Sequence, residues 1–425
     1  MVNEKGTSVM RVIFIILNTL LLMLSVGPNL SAQETIPPMS RLGSLNWGTN
    51  PANGLPWTMT DLSELAKART QTPVGKEVRN VLRSAHAELD KAIAVEPIER
   101  IEMEGVLSTE NRYQRSSKAV RMFPTMIAWA FCARLEAADP AGQKCKTALF
   151  EGLFGKDGNQ GWLGIYKPTG NPIDESNLLP LIQAIDIAGP LFTKTNAEKT
   201  RSFLKQIITQ GDRFFAAKKS SSSSRVNNHN TWRLTVRAAA AKVLNDQILL
   251  PETRSLFTRQ VADDLLEPAG WRPDQKCANN ASESRYGGYD FRQRDALHYH
   301  VYNLEAFVFA ATFTPDVLEQ TGHKAINDAL DFLRPYFTGQ KIHLEFVCST
   351  VRFDRERANA GIEEYRTNPW KPERARKLLR DARPVFPEIK PWTTNIVDDN
   401  YSPVQKLSAA LHGEEKQKSP SAVPL

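Results

Sequence analysis

Several protein classes are excluded by what this sequence lacks. After the first two dozen residues no segment reaches the ~18 uninterrupted apolar residues of a membrane-spanning helix. The mean hydropathy of −0.39 also excludes a polytopic membrane protein. Cysteine is scarce, with 4 in 425 residues, widely spaced and never as CxxC, so a zinc or redox motif is not expected. There is no HExxH pair to hold a catalytic metal. No repeat of fixed period occurs. Few stretches alternate with a period of two, so no major sheet is expected. With 23 Gly and 26 Pro the chain is not collagen-like. What remains is 41% hydrophobic and 24% charged, ordinary globular values. A chain this long can bury a core that folds without metal or disulfide. Its net charge of +7 draws it to polyanions: nucleic acid, an anionic membrane surface or an acidic polysaccharide.

The N-terminus narrows that choice. Lys5 and Arg11 precede an apolar run from Val12 to Leu24, broken by Asn18 and Thr19. Ser25, Gly27 and Pro28 follow, then Leu30-Ser31-Ala32. A positive start, an apolar middle and a small residue at the cut form the pattern of a secretory signal, residues 1–32, cleaved after Ala32. The alternative is a retained anchor, for which the run is short. Cleavage removes Lys5, Arg11 and Glu4, so the mature chain stays basic. Export to the periplasm or beyond, without stable membrane insertion, argues against nucleic acid and favours an acidic polymer. It also permits disulfides among Cys132, Cys145, Cys277 and Cys348, where three pairings are possible. Cys132 lies in an apolar stretch and reads as a small buried side chain.

Residues 33–75 are rich in Pro, Gly, Ser, Thr and Asn and read as an irregular arm. From about Gly75 the apolar spacing is helical: Val78, Val81, Leu82, Ala85, Leu89 and Ile93 recur three or four apart. Similar patterns span 119–138, 142–154, 176–188, 196–217, 229–248, 252–266, 293–312, 323–335 and 372–382. Gly and Pro punctuate the gaps. The expectation is an all-α domain over 76–390, built from helical hairpins side by side. An α/α toroid or incomplete α/α-barrel satisfies this, as does an α-solenoid. The tail, 391–425, has the composition of a flexible segment.

Two polar clusters stand out. Arg225-Val226-Asn227-Asn228-His229-Asn230-Thr231-Trp232 follows a basic, serine-rich stretch. Asn227 or Asn228 can cap a helix beginning near His229, whose free N–H groups and dipole would favour an anion. The second cluster runs from Tyr289 to Leu304, after a loop over Asp274–Asp290. If it is one helix, Arg292, Asp295 or Ala296, Tyr299 and Asn303 share a face. Leu297, Val301, Leu304 and Val308 form an apolar stripe toward the core. A guanidinium and a phenol on one face could grip and attack one polymeric acid. His298 and His300, two apart on a helix, point in different directions and do not suggest a metal pair.

Asn227-Asn228-His229-x-x-Trp232, then Arg292, then Ala296-Leu297-His298-Tyr299-His300-x-Tyr302-x-Leu304, together resemble the mannuronate-cleaving alginate lyases of α/α-toroid fold. The resemblance covers roughly residues 170–340. The seven-residue spacing from Arg292 to Tyr299 is that family's spacing between its catalytic Arg and Tyr. Before about residue 110 family members carry a lid loop with Arg, Lys and Tyr. Here Arg112-Tyr113-Gln114-Arg115-Ser116-Ser117-Lys118 is the candidate for that part.

The resemblance implies a β-elimination on a polyuronate. The C5 proton is too weak an acid while the neighbouring carboxylate is charged, so that charge must be neutralised and the enolate held. Asn228 and Arg292 are implied in this. Tyr299 is implied as general acid–base, with Arg292 favouring its phenolate. His229 either helps neutralise the carboxylate or acts as base for the opposite C5 epimer. Trp232, Tyr302, Arg225 and Lys118 are candidate substrate-binding residues. No metal or cofactor is required, and a monomer is expected. The alternatives are a lyase of another uronate polymer or oligomer, and a non-catalytic polysaccharide-binding protein of the envelope.

Overall fold

The computed structural model describes residues 44–52, 56–68, 71–91, 96–156, 160–219, 222–266, 287–394, 396 and 402–411. The expected signal, Cys277 and most of the loop before Tyr289 lie outside these. Among the described residues the fold is all-α. The exception is one antiparallel ribbon, β1 (Ser44–Thr49) with β2 (Pro56–Thr58). Helices follow: α1 (Met59–Lys67), α2 (Pro73–Asp90), α3 (Asn111–Val120), α4 (Phe123–Leu135), α5 (Pro140–Phe154), α6 (Leu179–Ala188), α7 (Lys194–Ala216), α8 (Asn228–Leu244) and α9 (Leu249–Val261). Beyond them come α10 (Tyr289–Arg294), α11 (Leu297–Phe313), α12 (Gln320–Asp331), α13 (Arg352–Asn359), α14 (Arg376–Ala382) and α15 (Pro403–Leu411).

Local chemistry starts many of these helices. Thr58 and Asp61 form a reciprocal capping box at α1. Thr72, Thr193 and Asn227 cap α2, α7 and α8 by accepting from a backbone N–H of the first turn. In α2 the residues Val74, Val78, Val81, Leu82 and Ala85 bury one face, as the spacing requires.

Helix α8 is the seam of the fold. It packs on α6, α7, α9 and α11 and is buried on nearly every side. Ala238–Ala241 let its neighbours approach closely. Leu234 and Ala238 belong to one hydrophobic cluster, with Phe257, Leu297 and Phe307. Trp232, Val236, Ala239 and Val243 belong to another, with Phe123, Trp129 and Ile182. Buried Arg233 is paired with Asp212 at 2.7 Å. Buried Arg237 is paired with both Asp212 and Glu252. Because so much core meets α8, its N-terminus is a fixed point.

Two local expectations are corrected. Within the expected irregular arm, residues 56–67 form β2 and α1, and Met59 and Leu62 are buried. Within the expected flexible tail, 403–411 is helical and packs on α2, and the Trp57 indole N–H donates to the Leu411 carbonyl at 3.1 Å. A few apolar residues among polar ones, Leu407 and Leu411, are enough to dock that helix. Cys132 is buried, as expected, and of the pairings left open it takes the one with Cys145, tying α4 to α5. Closing a loop of this length is worth about 3 kcal/mol.

Candidate active site

The first wall of the site is the start of α8. Asn227 is the N-cap, and its side-chain oxygen accepts from His229 N–H at 3.1 Å. Asn228 turns inward. Its backbone N–H and its Nδ2 both donate to Asp290 Oδ2, at 2.8 and 2.9 Å. Asp290 is fully buried, which raises its pKa, while Arg294 and the two Asn228 donors oppose the rise.

The second wall holds the largest departure from the sequence-based expectation. Tyr289–Asn303 is not one helix. Asp295 adopts a left-handed conformation, φ 52°, and ends α10; Ala296 is extended and starts α11. Aspartate tolerates that conformation better than most residues. Long-range contacts hold it there. The Asp295 carbonyl accepts from Phe346 N–H at 2.8 Å and lies 3.0 Å from His343 Nε2. Its carboxylate accepts from Cys348 N–H at 2.9 Å. Arg292 and Tyr299 therefore sit on different helices. The guanidinium over the Tyr299 ring is that of Arg294, 3.9 Å from the centroid. Arg294 also pairs with Asp290 at 3.6 Å and with Asp354. Burial works against its charge, but Tyr299, Asp290 and Asp354 outweigh burial and raise its pKa.

Arg292 is partly buried. Burial lowers it to about 10, and the charge opposing that is Asp264. Asp264 accepts from Tyr289 N–H and Asn303 Nδ2, each at 2.7 Å. Burial, then Asp290, push its carboxyl up to about 7. The expected shared face is thus divided: Asn303 and Arg292 turn to Asp264, and Tyr299 to Arg294.

Two further segments complete the surroundings. The Tyr299 hydroxyl lies 3.1 Å from that of Tyr365, which accepts from Arg357 Nη1 at 3.0 Å. Arg357 Nη2 donates to the Gly105 carbonyl at 2.9 Å. Next to Gly105, Glu104 Oε1 lies 3.7 Å from His229 Nε2. The N–H groups of Met103 and Glu104 are anchored on Asp174 Oδ1 at 2.8 and 2.7 Å. Burial, then Asp174, raise the Glu104 pKa, against Arg294 and Arg357. The contacts close a circuit: Asn228, Asp290, Arg294, Tyr299, Tyr365, Arg357, Gly105, and through Glu104 back to His229.

Burial, helped by Arg294 and Lys218, pushes His229 down to about 4. At neutral pH its imidazole is uncharged, and Nδ1 is buried with no partner among the described residues. It can donate or accept a proton there but brings no cation. Burial raises the Tyr299 phenol well above its usual range; Arg294 opposes this, and Tyr365 adds to it while Tyr299 is the donor of their shared bond. Alongside Arg292, the expected source of positive charge, Arg294 is a cation directly on the Tyr299 ring.

The other candidate residues are placed as follows. The rings of Trp232 and Tyr302 meet at a tilt, centroids 5.2 Å apart, and Trp232 is buried. Arg225 lies over the Phe215 ring and donates to the carbonyls of Lys218 and Lys219, so it clamps the chain before α8. Lys118 is exposed and pairs with Glu96 at 3.1 Å. The segment 112–118, expected as a lid loop, is helical within α3. His298 meets Glu345 at 2.6 Å, and His300 Nε2 faces the Ala329 carbonyl at 3.0 Å. Asp290, Arg294, Glu104, Arg357 and Tyr365 carried no assigned role in the sequence reading. Only the Asp290–Arg294 spacing of four hinted at a pair.

A buried carboxylate fixing an Asn, a guanidinium on a phenol and a neutral His fit a site that neutralises an acid and moves a proton. Residues 169–343 match the alginate lyase family model. No curated protein matches the chain. The matched alginate lyase segment contains α8, α10 and α11, and so Asn228, His229, Arg292, Arg294 and Tyr299. Glu104, Arg357 and Tyr365 lie outside it. The match supports a polysaccharide lyase acting on alginate, an acidic polymer. Among the described residues no helix is long and apolar enough to cross a membrane.

Proposed function

We propose that this protein is an exported lyase that cleaves poly-mannuronate by β-elimination. The observation that supports it most is the joining of Asn228 to Tyr299 through Asp290 and Arg294, with His229 beside Asn228. In this reading residues 1–32 are the signal, and the helical hairpins of 76–390 form an incomplete α/α toroid acting as a monomer. The substrate carboxylate meets the Asn228 amide, the neutral His229 imidazole and the guanidinium of Arg292, and its charge is masked. The C5 proton is then acidic enough to remove. Tyr299, as phenolate beside Arg294, takes that proton. It returns it to the O4 leaving group on the same face, so the C4–O4 bond breaks and a C4=C5 double bond forms. His229 contributes as a hydrogen-bond partner rather than a cation, because burial keeps it neutral. The basic chain attracts the polymer.

The test is product formation by residues 33–425 on polymannuronate, polyguluronate, pectate and heparin, read as ultraviolet absorbance of the conjugated unsaturated uronate. A rise on polymannuronate alone supports the reading as stated. A rise on another polymer alone keeps the chemistry and replaces the substrate. No rise on any polymer, with the fold intact, rejects it.

A further inference from the structure

Residues beyond the alginate lyase segment reach the phenol on which the proposed reaction turns. Tyr365 ends the turn Glu363–Tyr365, and its ring is stacked on Phe346, centroids 5.4 Å apart and 27° between planes. Phe353 meets the same ring edge-on at 6.0 Å. The ring is held on two sides, so its oxygen has a fixed place 3.1 Å from the Tyr299 oxygen. Arg357 donates to that Tyr365 oxygen through Nη1 and to the Gly105 carbonyl through Nη2. A guanidinium does not lose its proton and can only donate. It therefore withdraws electron density from the Tyr365 hydroxyl and makes it a better donor.

We propose that Tyr365, polarised by Arg357, is a positioning residue that donates its hydroxyl hydrogen to the Tyr299 oxygen when Tyr299 acts as base. The two states of the pair differ in strength. While Tyr299 is neutral either hydroxyl can donate to the other, and the bond is between neutral groups. Once Tyr299 has lost its proton, only Tyr365 can donate, and that bond is charge-assisted. A charge-assisted hydrogen bond is roughly twice as strong as a neutral one, so the ionised state gains more. The other groups facing Tyr299 are Arg294 over its ring, His298 with its ring tilted against it at 4.3 Å, and Asp354, which pairs with Arg294. Arg357 also ties the phenol pair to the loop bearing Glu104, so the same side chain joins both sides of the site.

This inference rests on the lyase reading, and its test separates the two. Tyr365→Phe keeps the stacked ring and removes one oxygen. The expected result is a fall in kcat of about 10- to 100-fold, the range for losing a hydrogen bond to a charged group, with KM nearly unchanged. The rising limb of kcat moves to higher pH. Arg357→Lys, which keeps a donor, falls less than Arg357→Met. Fluorine NMR of fluorotyrosine-labelled protein, with Tyr299→Phe to assign the signal, follows Tyr299 ionisation without substrate; it should shift to higher pH in Tyr365→Phe. Unchanged kcat, pH profile and Tyr299 titration in Tyr365→Phe would overturn the proposal. So would a fall confined to KM. If the wild type cleaves no uronate polymer, the lyase reading fails and the positioning role with it, even where the titration shift is seen.

Discussion

The two walls of the site are built in different ways. At the start of α8, Asn227 caps its own helix and the candidate residues Asn228 and His229 follow in sequence, so adjacent residues form this wall. At the α10–α11 junction the chemistry depends on a break at Asp295, which is held by Phe346, His343 and Cys348 some fifty residues away. The first wall is local and buried in the seam of the core. The second is assembled by contacts that only the folded chain makes. A motif therefore positions side chains dependably where a cap and a core fix it. Where distant segments set the backbone, residue spacing alone is incomplete: Arg294, to which the spacing gave no role, lies over the Tyr299 ring.

The largest effect expected lies on the second wall. Tyr299→Phe should lower kcat by about 10²–10⁴-fold and leave polymer binding intact, measured by steady-state kinetics and direct binding. Next is the carboxylate that joins the walls. Asp290→Ala strands both Asn228 donors and one side of Arg294 in the interior, and should reduce stability by about 3–5 kcal/mol in denaturant unfolding. If it does not, the two walls are independent.

A third effect is a pH dependence with two signs. His229 and His300 are held near 4 in the folded state, so the unfolded chain binds more protons between about 4 and 6.5. That contribution to stability rises with pH across this window and is lost as pH falls. Asp264 and Glu175 are pushed up to about 7, so they act oppositely and lose stability as pH rises from about 4 through 7. His300→Gln should flatten the rise and Asp264→Asn the fall, measured by thermal unfolding at several pH values. The smallest effects lie outside the circuit. Arg225→Ala should lose about 1–2 kcal/mol with its carbonyl contacts, whereas Lys118→Ala, at an exposed ion pair, should change stability by less than about 0.5 kcal/mol.

The all-α fold was legible because apolar residues recur at helical spacing in α2, α7 and α12 and because Thr and Asn caps mark several starts. Helix α8 was legible from its cap, although its burial on almost every side was not, since Arg233 and Arg237 read as surface charges until Asp212 is placed beside them. The left-handed turn at Asp295 could not be read. Nothing within six residues of it is Gly or Pro, and its stabilising partners are remote. Tyr365 and Arg357 had no signal at all: both stand in a charged stretch whose meaning depends on where the chain returns.

The central claim is that Tyr299 carries the proton in an elimination on a uronate polymer. The most direct test compares wild-type protein and Tyr299→Phe on polymannuronate, following unsaturated product and polymer binding in the same samples. The account predicts product from the wild type, at least about a hundredfold slower formation by the variant, and equal binding by both. Substantial product from Tyr299→Phe would contradict it.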